Sequence, residues 1–266
     1  MIYVLYHAHC IDGFGAAFAA WKKFGDNAKY LPVSYGKPLP NMNKATMVYI
    51  LDFSYDKQTL LELRKSVQVK VLDHHKTAEK DLEGLNFAHF DMNKSGAMLA
   101  WEHFHPEKEV PLMIRYIQDR DLWKFEMRLT NEFHLGISSI PQIFECWDAA
   151  DENDLTQTGS AILSYQATLI DRIVSSARVM MAGEFMEELT ILPYRVAVVN
   201  SGVLESEVGN ELLKKFPDVD LALIYYTTKD GKTKYSLRSE DSRADVSEIA
   251  KMFGGGGHRN ASGYIK

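Results

Sequence analysis

Side chains that commonly bind metal ions follow several short apolar segments of this chain. The candidate ligands, in chain order, are His7, Asp12, Asp52, His74 and Asp119. Imidazole and carboxylate together suit Mn²⁺, and also Zn²⁺, Co²⁺ or Fe²⁺. One carboxylate shared by two ions allows them to activate a water molecule and to clamp phosphoryl oxygens during an in-line displacement. The set therefore predicts a two-metal centre for phosphoryl chemistry, with Asp52 as the bridging candidate.

The elements that must position these residues can be read from the pattern of apolar residues. Segments 2–6, 47–51 and 69–72 are rich in β-branched or aromatic residues, as expected of buried parallel strands. Helical patterns over 14–23 and 57–66 separate them. Alternating strands and helices predict a parallel α/β sheet, and ligands of such sheets bind beyond the carboxyl ends of the strands. We therefore expect the polar side chains to converge on one edge.

The rest of the chain predicts a second, smaller domain. Helices are expected over 96–102 and 111–118, the second leading into Asp119, and one long connecting helix over 154–189. Beyond it, the predicted elements are strands at 195–200, 221–227 and 234–238 with a helix at 203–216. The fold class is accordingly α/β. The predicted parts are an N-terminal parallel-sheet domain over 1–150, a helical linker over 151–190, and a C-terminal α/β domain with a mixed sheet over 191–266.

Several residues near the predicted centre have more than one possible role. Adjacent side chains on an extended segment point in opposite directions, so we expect His74 to bind metal while His75 meets substrate. Asp73 is a candidate partner that orients a neighbouring imidazole. Asp119 could instead pair with a neighbouring arginine in an exposed network, and Asp121 is a weaker ligand candidate that could cap the following turn.

Four consecutive glycines, 254–257, stand near the end of the chain. Glycines cost backbone entropy, so a run of them indicates a specific use. Close approach of the backbone to an anion is one such use, because consecutive N–H groups can form an anion-binding nest. The following His258 and Arg259 favour an ordered segment over a flexible tail.

Composition excludes several classes of protein. The chain has 266 residues, 46% of them hydrophobic and 25% charged, as in ordinary globular domains. Its 30 Lys+Arg and 36 Asp+Glu give a net charge of −6, which argues against a protein that coats long nucleic acid. Two cysteines are too few for a disulfide framework, and no apolar run reaches the roughly 20 residues of a membrane helix. These features predict a cytoplasmic protein without a membrane partner.

Two motifs resemble those of a known family. Asp73-His74-His75 after a hydrophobic strand is similar to the signature of the DHH phosphoesterases, whose members include RecJ-like and NrnA-like enzymes. The segment 254–263, GGGGHRNASG, resembles the glycine-rich motif of the DHH-associated C-terminal domain, and 236–239 and 245–250 resemble its usual lead-in. The resemblance spans nearly the whole chain, and the separation of the two motifs matches a two-domain plan.

The resemblance implies hydrolysis of phosphodiester or phosphoanhydride bonds with two divalent ions, usually Mn²⁺, with Co²⁺, Mg²⁺ or Zn²⁺ as alternatives. It implies Asp52, His74, His75 and Asp119 as catalytic residues. His7, Asp12, Asp52, His74 and Asp119 are the implied metal ligands. The predicted substrate contacts are His75, Ser95, Arg238, Gly255, Gly256, Gly257 and His258.

One departure from the family pattern concerns the first motif. The family commonly has two aspartates separated by one residue, whereas Cys10 stands two residues before Asp12. A thiolate from Cys10 would favour a softer ion, water could fill the position, and His9 is another candidate ligand.

The leading functional hypothesis is an oligonucleotide phosphodiesterase that trims very short RNA or linear dinucleotides to mononucleotides. The acidic net charge favours short substrates over long duplexes. Cyclic dinucleotides, phosphoadenosine phosphate and short polyphosphate are alternative substrates of the same chemistry. A non-catalytic nucleotide sensor is the alternative of a different class, and a homodimer is left open.

Overall fold

The three predicted N-terminal strands lie side by side in one parallel sheet. The structure, a computed structural model, describes residues 1–185 and 193–266, and the chain divides into two units, Met1–Leu163 and Ser164–Lys266. The strands of the first unit are β1 (Ile2–His7), β2 (Ala28–Val33), β3 (Met47–Leu51), β4 (Gln68–Asp73) and β5 (Ala88–Phe90). Their order in the sheet is β2-β1-β3-β4-β5, and every neighbouring pair is parallel. This confirms the predicted sheet, with β2 and β5 added at its edges.

Helices cover both faces of this sheet. They are α1 (Ile11–Phe24), α2 (Lys57–Arg64), α3 (Lys76–Asp81), α4 (Gly96–Phe104), α5 (Leu112–Asp121), α6 (Thr130–Ser138), α7 (Phe144–Asp148) and α8 (Glu152–Ser175). Alternate residues of β1 face the two layers: Val4 packs in one buried cluster with α1, α4 and α5, and Leu5 packs in another with Leu60 of α2. Because both faces are buried, β3 is apolar throughout and β1 is apolar up to His7, which is what made these strands recognisable in the sequence.

The second unit is built on a mixed sheet. Its elements are β6 (Arg178–Met181), α9 (Ala182–Phe185), β7 (Arg195–Asn200), α10 (Glu205–Lys215), β8 (Leu221–Thr227), β9 (Thr233–Arg238), α11 (Val246–Met252), β10 (Gly256–His258) and β11 (Ala261–Ile265). The strand order is β10-β11-β9-β8-β7-β6 within the described residues. β7 and β8 are parallel and the other neighbours are antiparallel.

The predicted connecting helix is shorter than expected. It was predicted over 154–189, but α8 ends at Ser175 and residues 178–181 form β6. The physical reason is that β6 pairs with β7, from Arg178 opposite Val198 to Met181 opposite Arg195, and its backbone gains sheet partners there. Residues 186–192, which include the end of the predicted linker and the first two residues of the predicted C-terminal domain, lie outside the described residues. Within the described part, no helix combines the length and apolarity needed to cross a membrane.

Two glycines allow α6 and α8 to approach closely in the first unit. A Cβ atom on Gly159 would lie 1.6 Å from the carbonyl oxygen of Glu132, and one on Gly136 would lie 2.0 Å from that of Leu155. No side chain can be accommodated at such distances without moving backbone. The crossing of the two helices therefore requires glycine at both positions.

We predict that Gly159→Ala lowers the free energy of unfolding by about 1–3 kcal/mol, because the added methyl group forces α6 and α8 apart. Denaturant unfolding measures this change. The matched control is Ser160→Ala, one residue along and exposed, which should change stability by less than about 0.5 kcal/mol. A Gly159→Ala variant as stable as the parent protein would contradict the close crossing.

Candidate metal centre

The side chain of Asp52 lies at the middle of the candidate centre. Asp52 follows β3 directly, and its N–H donates to the carbonyl of Leu72, 2.9 Å away, at the end of the neighbouring strand. The residue is 1% exposed, yet neither carboxylate oxygen has a hydrogen-bond partner among the described residues. A buried carboxylate without partners is strongly unfavourable unless a cation balances it. The residue therefore fits a metal ligand.

Two imidazoles flank the Asp52 carboxylate. His7 Nδ1 lies 3.6 Å from one of its oxygens, and His74 Nε2 lies 3.2 Å from the other. Burial acts to raise the pKa of Asp52, but the flanking His7 and His74 outweigh it and lower that pKa to about 2. Asp52 is therefore an ionised carboxylate that faces His7 with one oxygen and His74 with the other.

The possible ligands fall into three overlapping groups, and within each group the ligand atoms lie within 4.8 Å of one another. The groups are His7, Cys10 and Asp52; Asp52, His74 and His75; and Asp12, His74 and Asp121. Asp52 and His74 each belong to two groups. Such sharing is what two ions bridged by one carboxylate require, and the donor set suits the divalent ions predicted from the sequence.

Asp12 is held by the first turn of α4. Its two carboxylate oxygens accept hydrogen bonds from the backbone N–H groups of Gly96, at 2.6 Å, and Ala97, at 2.9 Å. Burial and the negative charges of Asp52 and Asp121 raise the pKa of Asp12 well above its ordinary value. A Cβ atom on Gly96 would lie 2.5 Å from the Cβ of Asp52, so only glycine lets the two aspartates and the helix meet.

Cys10 is brought to the centre, as its place in the first group shows. Burial, with the nearby Asp52 charge, raises the pKa of the Cys10 thiol to about 12. A neutral thiol is a poor ligand, so Cys10 would bind an ion only if the ion itself displaced the proton.

The structure does not bring Asp119 to the centre. Its carboxylate instead accepts hydrogen bonds from the backbone N–H groups of Glu126, at 2.9 Å, and Met127, at 3.2 Å, and from the hydroxyl of Thr130, at 2.5 Å. The carboxylate that reaches the centre belongs to Asp121, with Oδ2 3.6 Å from His74 Nε2. Residues two apart on a helix differ by about 200° in direction, so only one of the two can face the site. The structure thus places Asp121, and not the predicted Asp119, among the candidate metal ligands.

His74 and His75 lie closer together than predicted. Their ring centroids are 4.7 Å apart, and both belong to the group that contains Asp52. The expected opposite directions hold for an extended segment, but β4 ends at Asp73 and the two histidines form the turn before α3. Asp73 is fully buried, and its Oδ1 lies 2.7 Å from Nδ1 of His75. This hydrogen bond raises the pKa of His75, as expected of an orienting partner.

Ser95 has a structural position instead of the predicted substrate contact. The residue is fully buried, and its Oγ accepts a hydrogen bond from the N–H of Met98, which caps α4. Its own N–H donates to the side chain of Gln118 on α5. A side chain with no exposed surface cannot meet substrate, so Ser95 acts by fixing the helix end that holds Asp12.

The predicted C-terminal substrate contacts lie in or beside a groove of about 650 Å³ within the second unit. The groove lies between the start of α10 and strands β9 and β11, and Arg238 and Gly256 both line it. The Arg238 guanidinium donates to the hydroxyl of Ser206, 2.8 Å away. Gly257 and His258 are exposed on β10, and Gly255 immediately precedes that strand.

The chain is similar to several known proteins. The DHHA1 domain family matches residues 191–265. The chain is 35% identical to the uncharacterized protein R106 of Acanthamoeba polyphaga mimivirus, over 98% of this chain and 66% of the relative. It is 25% identical to oligoribonuclease NrnB of Bacillus subtilis, over 98% of this chain and 72% of the relative. It thus spans about two thirds of the length of these relatives.

Two solved structures share the fold. The pGpG-specific phosphodiesterase PggH of Vibrio cholerae superposes with a TM-score of 0.57 at 14% identity, covering 99% of this chain and 92% of its own. Exonuclease RecJ bound to manganese superposes with a TM-score of 0.51 at 13% identity, covering 99% and 85%. The chain therefore shares the fold of these two enzymes, and its C-terminal part matches the DHHA1 domain family.

The DHH signature of the chain lies at the end of β4, with Asp73 buried beneath the two histidines. The ligand candidate that sequence reasoning placed second, Asp121, is the one that the structure brings to this DHH centre. The sequence offered both Asp119 and Asp121 as candidates, two residues apart. The exact end of α5 and the rotation of the helix about its axis were needed to choose between them.

We predict that Asp121→Asn weakens binding of Mn²⁺ at least about tenfold, because it removes a charged oxygen from the centre. Asp119→Asn should instead lower the free energy of unfolding by about 1.5–3 kcal/mol, because three hydrogen bonds to a charged acceptor are weakened. Titration calorimetry and denaturant unfolding of both variants measure these effects. Loss of Mn²⁺ affinity in Asp119→Asn alone would contradict the corrected assignment.

Proposed function

We propose that this protein is a metal-dependent phosphodiesterase that hydrolyses short oligonucleotides or dinucleotides to mononucleotides. The observation that carries the proposal is the buried, unpartnered Asp52 carboxylate, shared between ligand groups on its His7 side and its His74 side. The names of relatives support the substrate class, since NrnB is an oligoribonuclease and PggH is a pGpG-specific phosphodiesterase.

The proposed ligands of two divalent ions are His7, Asp12, Asp52, His74 and Asp121, with Cys10 as a further candidate. We propose Mn²⁺ as the preferred ion, with Co²⁺, Mg²⁺ or Zn²⁺ as alternatives, and the manganese bound to RecJ supports this choice. Ions bound there would supply an acidified water molecule and neutralise phosphoryl charge.

His75 is suited to meet the phosphate. The hydrogen bond between its Nδ1 and Asp73 leaves Nε2 for the substrate, and the raised pKa favours the protonated ring. A protonated imidazole can pair with a phosphate oxygen or give its proton to the departing alkoxide oxygen. Asp73 thus acts as a positioning residue by holding the ring and stabilising its charge.

The C-terminal unit is proposed to hold the rest of the substrate. Arg238 can bind a phosphate through its guanidinium fork, and the hydrogen bond to Ser206 keeps the side chain in the groove. The glycines 255–257 and His258 are proposed to supply backbone and imidazole contacts nearby. In this proposal, residues 1–150 hold the metal ions and residues 191–266 bind the rest of the substrate. The linker, residues 151–190, joins the two parts.

A cyclic nucleotide is the alternative substrate that a specific observation favours. The chain is 23% identical, over 75% of its length and 68% of the relative, to a 3′,5′-cyclic-nucleotide phosphodiesterase of Helicobacter pylori. Parallel assays with a linear dinucleotide, a cyclic dinucleotide, a 3′,5′-cyclic mononucleotide, phosphoadenosine phosphate and tripolyphosphate separate these substrates. If the protein binds one of these compounds but hydrolyses none of them with Mn²⁺, Co²⁺ or Zn²⁺, the result would indicate a non-catalytic nucleotide sensor.

We predict that the protein with Mn²⁺ releases mononucleotide from a 5′-labelled dinucleotide and that Asp52→Asn lowers kcat at least about 100-fold, because the shared carboxylate positions both ions. Chromatography of the labelled products measures this. The matched control is Asp26→Asn, which removes an exposed carboxylate from the same unit and should leave kcat unchanged. Substantial activity in Asp52→Asn would refute the bridging role.

We predict that Arg238→Ala raises KM for the dinucleotide about tenfold and leaves kcat nearly unchanged, because it removes a phosphate contact away from the reacting atoms. Steady-state kinetics separates the two constants. Arg195→Ala, which removes the same charge from an exposed position on β7, is the control and should change neither constant. A loss confined to kcat would place Arg238 at the reacting phosphate instead.

A further inference from the structure

An exposed tryptophan closely follows the ligand candidate Asp121 in the chain. Trp123 is 66% exposed and lies in the turn between α5 and α6, two residues after Asp121. Two residues span at most roughly 7 Å. The Cα atom of Trp123 therefore lies within about 7 Å of the Cα atom of Asp121, whose carboxylate lies 3.6 Å from Nε2 of His74.

One face of the Trp123 ring is already occupied. The guanidinium carbon of Arg120 lies over the ring, 4.2 Å from its centroid, and Phe125 packs at 4.9 Å with an interplanar angle of 81°. The exposure of the residue leaves the opposite face to solvent. A cation behind an aromatic ring fixes the ring and leaves one flat surface available for stacking.

The backbone that carries Trp123 adopts an unfavourable conformation. Its φ is 56°, and φ is 53° at Phe125 and 70° at Leu129, all in the left-handed region. Residues with side chains rarely adopt this region, and such conformations persist where surrounding contacts impose them, often at ligand sites. An exposed tryptophan gains little from burial here, so packing does not account for the strain.

Asp119 supplies the contacts that impose this conformation. Its carbonyl oxygen accepts a hydrogen bond from the N–H of Lys124, 2.9 Å away, and its carboxylate binds the N–H groups of Glu126 and Met127. The turn is therefore tied to the last turn of α5 on both sides of Phe125. The same helix end thus carries Asp121, which reaches the centre, and anchors the turn that contains Trp123.

We propose that Trp123 is a stacking platform for the nucleobase next to the scissile phosphate. The inference rests on the proposed function and adds a specificity-determining contact to it. Stacking on an aromatic ring tolerates any base, because every base has a π-face. Trp123 would therefore require that a base be present without selecting its identity, which suits an enzyme that degrades short oligonucleotides of mixed sequence.

The test compares an ordinary dinucleotide with two analogues in which one or the other nucleotide is abasic. We expect the parent protein to prefer the ordinary dinucleotide over one of the analogues by about 5- to 100-fold in kcat/KM, as stacking on one ring provides. Trp123→Ala should lower kcat/KM for the ordinary dinucleotide and for the analogue that keeps the stacked base. It should leave kcat/KM for the analogue that lacks this base unchanged, so the preference should disappear. Trp123→Tyr, which keeps an aromatic ring, should restore most of it.

Tyr165→Ala is the matched control, because Tyr165 is 65% exposed and lies on α8, outside the centre. It should behave as the parent protein on all three substrates. Equal losses for Trp123→Ala on every substrate would show that Trp123 only supports the centre, and no loss would show that it does not meet substrate. Either result overturns the stacking role while the dinucleotide activity of the parent protein stands, whereas an inactive parent protein would overturn the proposed function itself.

Discussion

The fold of the first unit is constrained by carboxylates that are buried close together at the end of a parallel sheet. Asp12 and Asp52 are almost completely buried, and Asp121 shares a ligand group with Asp12 and His74. Like charges at this separation repel strongly where water is excluded. The centre is therefore stable only when protons or cations balance the carboxylates. Burial and the neighbouring carboxylates raise the pKa of Asp12, whereas the flanking His7 and His74 lower the pKa of Asp52.

The packing around the centre follows from this constraint. The start of α4 presents two N–H groups to Asp12, and a helix N-terminus favours negative charge. Gly96 is required there because a side chain would collide with Asp52. Ser95 caps the helix and is anchored to α5, which carries Asp121 at its end. Gly96 and Ser95 are not candidate metal ligands themselves, but they thus determine where the metal-binding carboxylates lie.

Most of the fold could be predicted from the sequence, because the strands buried on both faces are continuous apolar runs. β3, β7 and β8 lie where the pattern placed them, and Asp52 directly follows β3 as expected. β6 could not be recognised, since Arg178–Met181 continues a helical pattern and becomes a strand only by pairing with β7. Strand identity at a sheet edge depends on a distant partner, which local periodicity does not contain.

The sequence could not distinguish Asp119 from Asp121 as the metal ligand for the same reason, because the answer depends on tertiary contacts. Both lie in the last turn of α5, and a carboxylate at a helix end is equally suited to binding metal or to capping a turn. What separates them is the direction of each side chain at the last turn of α5, which the packing of α5 on α4 and α6 fixes. Asp119 then binds the turn that carries Trp123, and Asp121 joins the centre. The ligand candidate Asp121 and the residue that anchors the turn of Trp123 thus lie two residues apart, so a change in the rotation of α5 would disturb both at once.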